Sequence, residues 1–273
     1  MNNPIRFGMV QGRLTQSPPG LLQWFPQKNW DTEFYLASAL GIDYIELIAE
    51  RIHNPINPIW TDDGASQIKA LAESNGLSLH AFCNDYIIDN NLVNDVVLEQ
   101  NFRLLERGAL LGCEKYILPL FESSELTMEN VNEYIEPLRK IADKAHHFGI
   151  TVCLETILNG GELIEILDLI NHPAITVVFD TGNRIAFGHD LAADIRLLGN
   201  RISHVHIKDK NIENQNVTLG TGLVNFKDVF EALNDIKYEG PYTFETQRGK
   251  NPSRTAAYNI ALVNYFYAEG FNL

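Results

Sequence analysis

Eight short runs of β-branched or apolar residues alternate with longer stretches whose apolar residues recur at intervals of three and four. The strands predicted from them are Ile5–Val10, Tyr44–Leu47, Leu77–Cys83, Lys115–Pro119, Ile150–Leu154, Ile175–Phe179, Ile202–Ile207 and Tyr242–Phe244. Between them, stripes such as Trp30, Phe34, Ala37 and Leu40, or Leu98, Phe102, Leu105 and Ala109, have the period of a helix with one buried face. Gly41, Gly76, Gly112 and Gly149 follow such stripes where a left-handed helix end belongs. Asn159 with Glu162 reads as a capping pair, and Asn251-Pro252 as a helix start. Strict strand–helix alternation calls for a parallel sheet with helices outside it. Eight such units in 273 residues match a closed (β/α)8 barrel, α/β in class, forming one domain over residues 1–273. The structural rival is a doubly wound open sheet, but no Gly-x-Gly-x-x-Gly follows the first strand.

Composition supplies the core and narrows the partners. Apolar residues make up 45%, with 14 Phe, 10 Tyr and 3 Trp spread along the chain, which excludes a disordered segment. Lys and Arg number 21 against 35 Asp and Glu, a net charge of -14, and no basic run interrupts the excess. Such a surface repels phosphate backbones and anionic lipid, so neither nucleic acid nor membrane is expected as a partner. Cys83, Cys113 and Cys153 are too far apart for a Cys-x-x-Cys zinc site and are expected as reduced, buried thiols. No apolar run approaches the ~20 residues of a membrane span, and Met1–Arg6 shows no leader pattern, so a cytoplasmic location is expected.

In a barrel of this kind, chemistry sits at the C-terminal ends of the strands. Strand five ends on Glu155; strand six ends on Asp180, followed by Thr181-Gly182-Asn183; strand seven carries His206, then Lys208-Asp209; strand eight ends on Glu245. Taken singly, each has a plain structural explanation: a cap partner, a turn residue or a hydrogen-bonded core histidine. Together, at one height on four adjacent strands, they make an oxygen and nitrogen cluster suited to a divalent ion that offsets the repulsion of three carboxylates.

The segments His204-Val-His-Ile-Lys-Asp209, Gly220-Thr-Gly-Leu-Val-Asn-Phe226 and Tyr238-Glu-Gly-Pro-Tyr-Thr-Phe-Glu245, with Asp180-Thr-Gly-Asn183, resemble the xylose isomerase-like TIM-barrel superfamily. Within it they are most similar to the sugar phosphate isomerase/epimerase group, the L-ribulose- and L-xylulose-5-phosphate 3-epimerases in particular. The resemblance implies that Glu155, Asp180, His206 and Glu245 bind one divalent ion (Mn, Mg, Co or Zn) and that Glu155 and Glu245 exchange the proton. The reaction expected is 3-epimerisation of a ketose or ketose phosphate through an enediolate. D-tagatose 3-epimerase-type members carry His where this chain has Asn183, which favours the pentulose-phosphate branch.

Weaker substrate-binding candidates are His80 and Glu46 on early strands, Asn183, and the cations Lys208 and Arg248, placed where barrels often bind phosphate. His204, of the same parity as His206 and one layer lower, is expected as a core histidine. The loops Gln16–Asn29 and Glu50–Thr61 bring Trp24, Phe25, His53 and Trp60 as candidate pocket walls. An aldose–ketose isomerase, or a dehydratase acting on a sugar or inosose, would use much the same cluster. An endonuclease IV-like repair enzyme needs further histidines, one at the position of Asn183. A silent sugar-binding barrel would be expected to lack a ligand. A homo-oligomer is compatible with all of these readings.

Overall fold

The computed structural model describes residues 5–271. Met1–Pro4, part of the stretch on which the expectation about a leader rests, lie outside the described residues. Eight parallel strands close on themselves in sequence order: β1 (Phe7–Val10), β2 (Tyr44–Ala49), β3 (Ala81–Asn84), β4 (Lys115–Pro119), β5 (Thr151–Glu155), β6 (Ile175–Asp180), β7 (Ile202–Ile207) and β8 (Tyr242–Phe244). The (β/α)8 barrel expected from the alternation is therefore the fold, and β8 pairs with β1 to complete the ring.

Alternation along each strand sends one set of side chains outward under the helices and the other into the lumen. Met9, Leu47, Phe82, Leu118, Leu154 and Phe179 belong to the continuous core shared with the helices. Val10, Ile48, Cys83, Ile117, Cys153 and Val178 form a separate inner cluster, over which Phe25 packs. All three cysteines are free and buried, as expected. The barrel has one register shift that bears on its rim. Between Val177 and Val178 the β6–β7 pairing slips, so that Asp180 lies opposite His206.

The helix ends follow the local chemistry. The side chain of Asn159 accepts from Glu162 N while Glu162 reaches back to Asn159 N, a complete capping box. Asn251 caps the last helix, which begins at Pro252. Gly41, Gly76, Gly112 and Gly149 all have positive φ. Two short helices lie outside the alternation, Tyr86–Asp89 after β3 and Thr181–Ala186 after β6. β3 also begins four residues later than expected, because the segment from Leu77 to His80 approaches the barrel without forming an extended ladder.

Candidate metal centre

The lumen parity that buries Ile48, Cys153 and Val178 also directs Glu46, Glu155, Asp180, His204, His206, Thr243 and Glu245 inward. Four of these meet at the C-terminal rim. One ligand atom each from Glu155, Asp180, His206 and Glu245 lies within 4.8 Å of the other three, and all four residues are buried. His206 Nδ1 is 3.5 Å from a Glu245 oxygen, 3.8 Å from Asp180 and 3.9 Å from Glu155.

Each carboxylate is aimed by a neighbour. Asp180 caps the helix Thr181–Ala186, its Oδ1 accepting from Asn183 N at 2.6 Å, which leaves Oδ2 facing the cluster. Asn183 then donates from Nδ2 to Glu155 Oε1 at 3.0 Å. Glu245 receives the Lys208 ammonium at 2.7 Å and an Arg13 nitrogen at 3.3 Å. Lys208 also reaches Asp180 at 3.4 Å. Its stem crosses Gly182, where a β-carbon would stand 2.6 Å from Lys208 Cγ. Glycine in the Asp-Thr-Gly-Asn run thus makes room for the lysine.

These residues fit a divalent ion. His206 Nδ1 is buried without a hydrogen-bond partner, and Asp180 Oδ2 has no hydrogen bond and only the Lys208 ammonium at 3.4 Å, an arrangement a cation would complete. Three carboxylates and one imidazole are a donor set for a borderline or hard cation. The protein's own charges divide the two glutamates. Burial, reinforced by Glu245 and Asp180 against the pull of His206, pushes the Glu155 carboxyl up to about 8. Burial acts on Glu245 too, but Lys208, His206 and Arg13 outweigh it and hold that carboxyl well below its ordinary range.

Among the weaker candidates, the structure brings Asn183 and Lys208 to the cluster. Lys208 turns onto the carboxylates of Glu245 and Asp180. Arg248 is buried against the β1 loop, donating to the carbonyls of Gly12 and Leu21. His80 lies just before β3 at the opposite end of the barrel, its Nδ1 3.1 Å from Glu114. Glu46 is fully buried beneath the cluster, against His204 and His206. His80 and Glu46 are both buried; periodicity locates their strands, but not their depth in the lumen.

Three residues that sequence reasoning missed are prominent here. Arg13 follows β1 and pairs with Glu245. Asp85 follows β3, and burial pushes its carboxyl up to about 7. Both stand just past a strand end, the same signal that marks Glu155 and Glu245. Glu33, on the first helix, carries no signal of its own. It accepts from Gly12 N, Leu14 N and Thr15 N, tying down the loop after β1.

That loop forms one wall of a cavity of about 460 Å³ lined by Trp24, Phe25, Ile48, Glu50, His53 and Asp85, among others. A second cavity, about 420 Å³, reaches Asn183 and Phe121. Between them Arg51 pairs with both Asp89 and Glu122, joining the loops after β2, β3 and β4. Gly12, at φ +87°, is where the wall is most sensitive: a β-carbon would collide with the Trp24 carbonyl oxygen. Gly12→Ala is expected to cost about 1–3 kcal/mol and to raise KM more than it lowers kcat, as read by urea melts and steady-state kinetics.

Residues 34–264 match the family described as Xylose isomerase-like TIM barrel. An L-ribulose 3-epimerase of Methylomonas sp. (strain DH-1) is 33% identical over 126 residues, covering 43% of each chain. The alignment thus spans less than half of that relative's length. A D-psicose 3-epimerase of Ruminiclostridium cellulolyticum is 22% identical over 250 residues, 83% of this chain and 82% of the other. Among solved structures, a xylose isomerase domain protein from Planctomyces limnophilus superposes with a TM-score of 0.80 at 18% identity, over 98% of this chain and 99% of the other. At that identity the likeness is one of fold.

Proposed function

The chain belongs to the xylose isomerase-like TIM barrel family, and on that premise we propose that it is a divalent-metal-dependent epimerase acting at C3 of a ketose. The observation that carries this reading is the cluster itself: Glu155 and Glu245 come from β5 and from the end of β8 to share one buried site with Asp180 and His206. Two carboxyls on one site can serve in turn as base and acid in a single proton transfer. The relatives named as 3-epimerases of ribulose and psicose support the choice of C3.

An ion held by Glu155, Asp180, His206 and Glu245 would act as a Lewis acid toward the substrate's carbonyl and neighbouring hydroxyl oxygens. The protein's own groups do the rest. Glu245, kept ionised by Lys208 and Arg13, takes the proton from the carbon beside the ketone. Glu155, oriented by Asn183, has to carry a proton when this epimer binds and returns it from the other side. The opposite epimer reverses the roles. The Lys208 ammonium lies close enough to the cluster to donate a hydrogen bond to an oxygen that becomes negative during the transfer.

The substrate is a free ketose in preference to its phosphate. Lys208 and Arg248, the cations placed where barrels bind phosphate, are engaged by carboxylates and backbone carbonyls, and Arg51 is engaged by two acids. The walls of the larger cavity are aromatic and acidic, suited to sugar hydroxyls and C–H faces. Phosphorylating the terminal hydroxyl is therefore expected to lower kcat/KM at least tenfold; a phosphate that raises it would overturn this assignment. Nucleic acid remains disfavoured by the net charge of -14, and among the described residues no helix is long and apolar enough to cross a membrane.

The deciding experiment incubates the protein with Mn²⁺ and a panel of ketoses in D₂O and follows exchange by NMR. Deuterium at C3 with a new epimer is the expected result. Label at C1 or C2 with an aldose product would make it an isomerase, and loss of water would make it a dehydratase.

A further inference from the structure

Beneath the four proposed ligands lies a second group of ionisable side chains with no part in the proton transfer: Glu46 on β2 and His204 on β7, beside the inner nitrogen of His206. Glu46 Oε1 is 3.0 Å from His206 Nε2, and Glu46 Oε2 is 2.8 Å from His204 Nε2. The Thr243 hydroxyl, itself bonded to Tyr44, stands 3.0 Å from that same His204 nitrogen. None of the three ionisable residues is more than 2% exposed.

We propose that Glu46 is a positioning residue: its carboxylate accepts the Nε2–H of His206, fixes the ring's tautomer and orientation, and so presents the Nδ1 lone pair to the ion. This rests on the metal reading under Proposed function. An imidazole offers a lone pair at one nitrogen only while the other carries the proton, so the partner of the second nitrogen decides which tautomer exists. In this structure Nδ1 faces Glu155, Asp180 and Glu245 without a hydrogen bond, and Nε2 faces Glu46. His204 holds the carboxylate in place from behind, with the Thr243 hydroxyl against that same His204 nitrogen, which accounts for a histidine on either side of Val205.

Glu46, His204 and His206 are also close enough together to suggest an ion site of their own, but the spacing argues against it. Two donors sharing one tetrahedral ion at ~2.1 Å stand about 3.4 Å apart. The contacts of 2.8 and 3.0 Å are those of hydrogen bonds.

The test is Mn²⁺ affinity measured by titration calorimetry on protein freed of metal, with thermal melts alongside. Glu46→Ala is expected to weaken Mn²⁺ binding 10–100-fold. Glu46→Gln, whose amide oxygen still accepts the Nε2–H, should fall between Ala and wild type while melting within about 2 °C of wild type. A merely structural role would lower the melting temperature and leave the affinity unmoved. Folded variants that bind Mn²⁺ within twofold of wild type overturn the proposal. Should Glu46→Ala not fold, the Gln variant and a second measurement decide. In the ¹⁵N-imidazole spectrum of Zn²⁺-loaded wild type, His206 should carry its proton on Nε2; a proton on Nδ1 overturns the assignment. A wild type that takes up no ion is a different failure, that of the metal reading itself.

Discussion

Glu245→Gln is expected to lower kcat by ~10²–10⁴-fold with Mn²⁺ saturating, and Glu155→Gln by a similar factor, the range that a positioned general acid or base supplies. An amide neither accepts the substrate's proton nor returns one. Each glutamate is also a proposed ligand, so metal content has to be measured on the same samples. The informative quantity is turnover of the fully loaded variant. The two substitutions should also differ in kind. Glu245 is the carboxyl that Lys208 and Arg13 hold ionised, and its loss leaves both cations without their closest acid. Glu155 has only the amide of Asn183 as a neutral partner. Glu245→Gln should therefore also perturb Lys208, whereas Glu155→Gln should leave it in place. Loaded, folded variants that retain more than a tenth of wild-type turnover would remove the acid–base assignment.

The largest stability effect is expected away from the chemistry, at Asp194. The Arg184 guanidinium is buried over the Phe179 ring, 4.9 Å from its centroid, and donates to Asp194 Oδ2 at 2.7 Å. Asp194 Oδ1 accepts from Gly160 N at 3.0 Å, so one carboxylate joins the short helix after β6 to the helices on either side. Asp194→Ala leaves a buried cation unpaired, which costs about 3–5 kcal/mol. The urea midpoint should fall accordingly. Replacing both partners, Arg184→Met with Asp194→Leu, should recover much of the loss, because two apolar side chains carry no such penalty. A single-variant cost below about 1 kcal/mol would contradict the reading of Arg184 as a buried, dependent charge.

The barrel is legible in the sequence because its cause is periodic. Repeats of two and of three to four, punctuated by Gly41, Gly76, Gly112 and Gly149, leave few alternatives. The four rim residues can be read because each lies at or beside the end of a strand, and strand ends are visible in one dimension. Depth and direction are not. Glu46 is two residues short of Ile48 on the same inner face, so it lies under the centre and not at its mouth. Lys208 follows its strand in a position common for phosphate ligands, yet it bends back over Gly182 into the carboxylates. Arg13 and Asp85 obey the strand-end rule on β1 and β3, where no neighbouring motif draws notice to them. The β6–β7 slip that aligns Asp180 with His206 depends on sheet pairing, which no single strand encodes.

The barrel also divides its work around the ring. Strands β5 to β8 carry the four clustered residues, while the loops after β1 and β2, with Asp85, supply most of the wall of the larger cavity. Arg13 to Glu245 and Glu46 to His206 cross from one half to the other. A division of this kind is a route to descent with changed taste. On the proposed function, replacing Trp24, Glu50 or His53 would alter which sugar is admitted and leave the clustered residues of the other half in place. In the loop after β1, that freedom stops at Arg13, where the two halves share a charge.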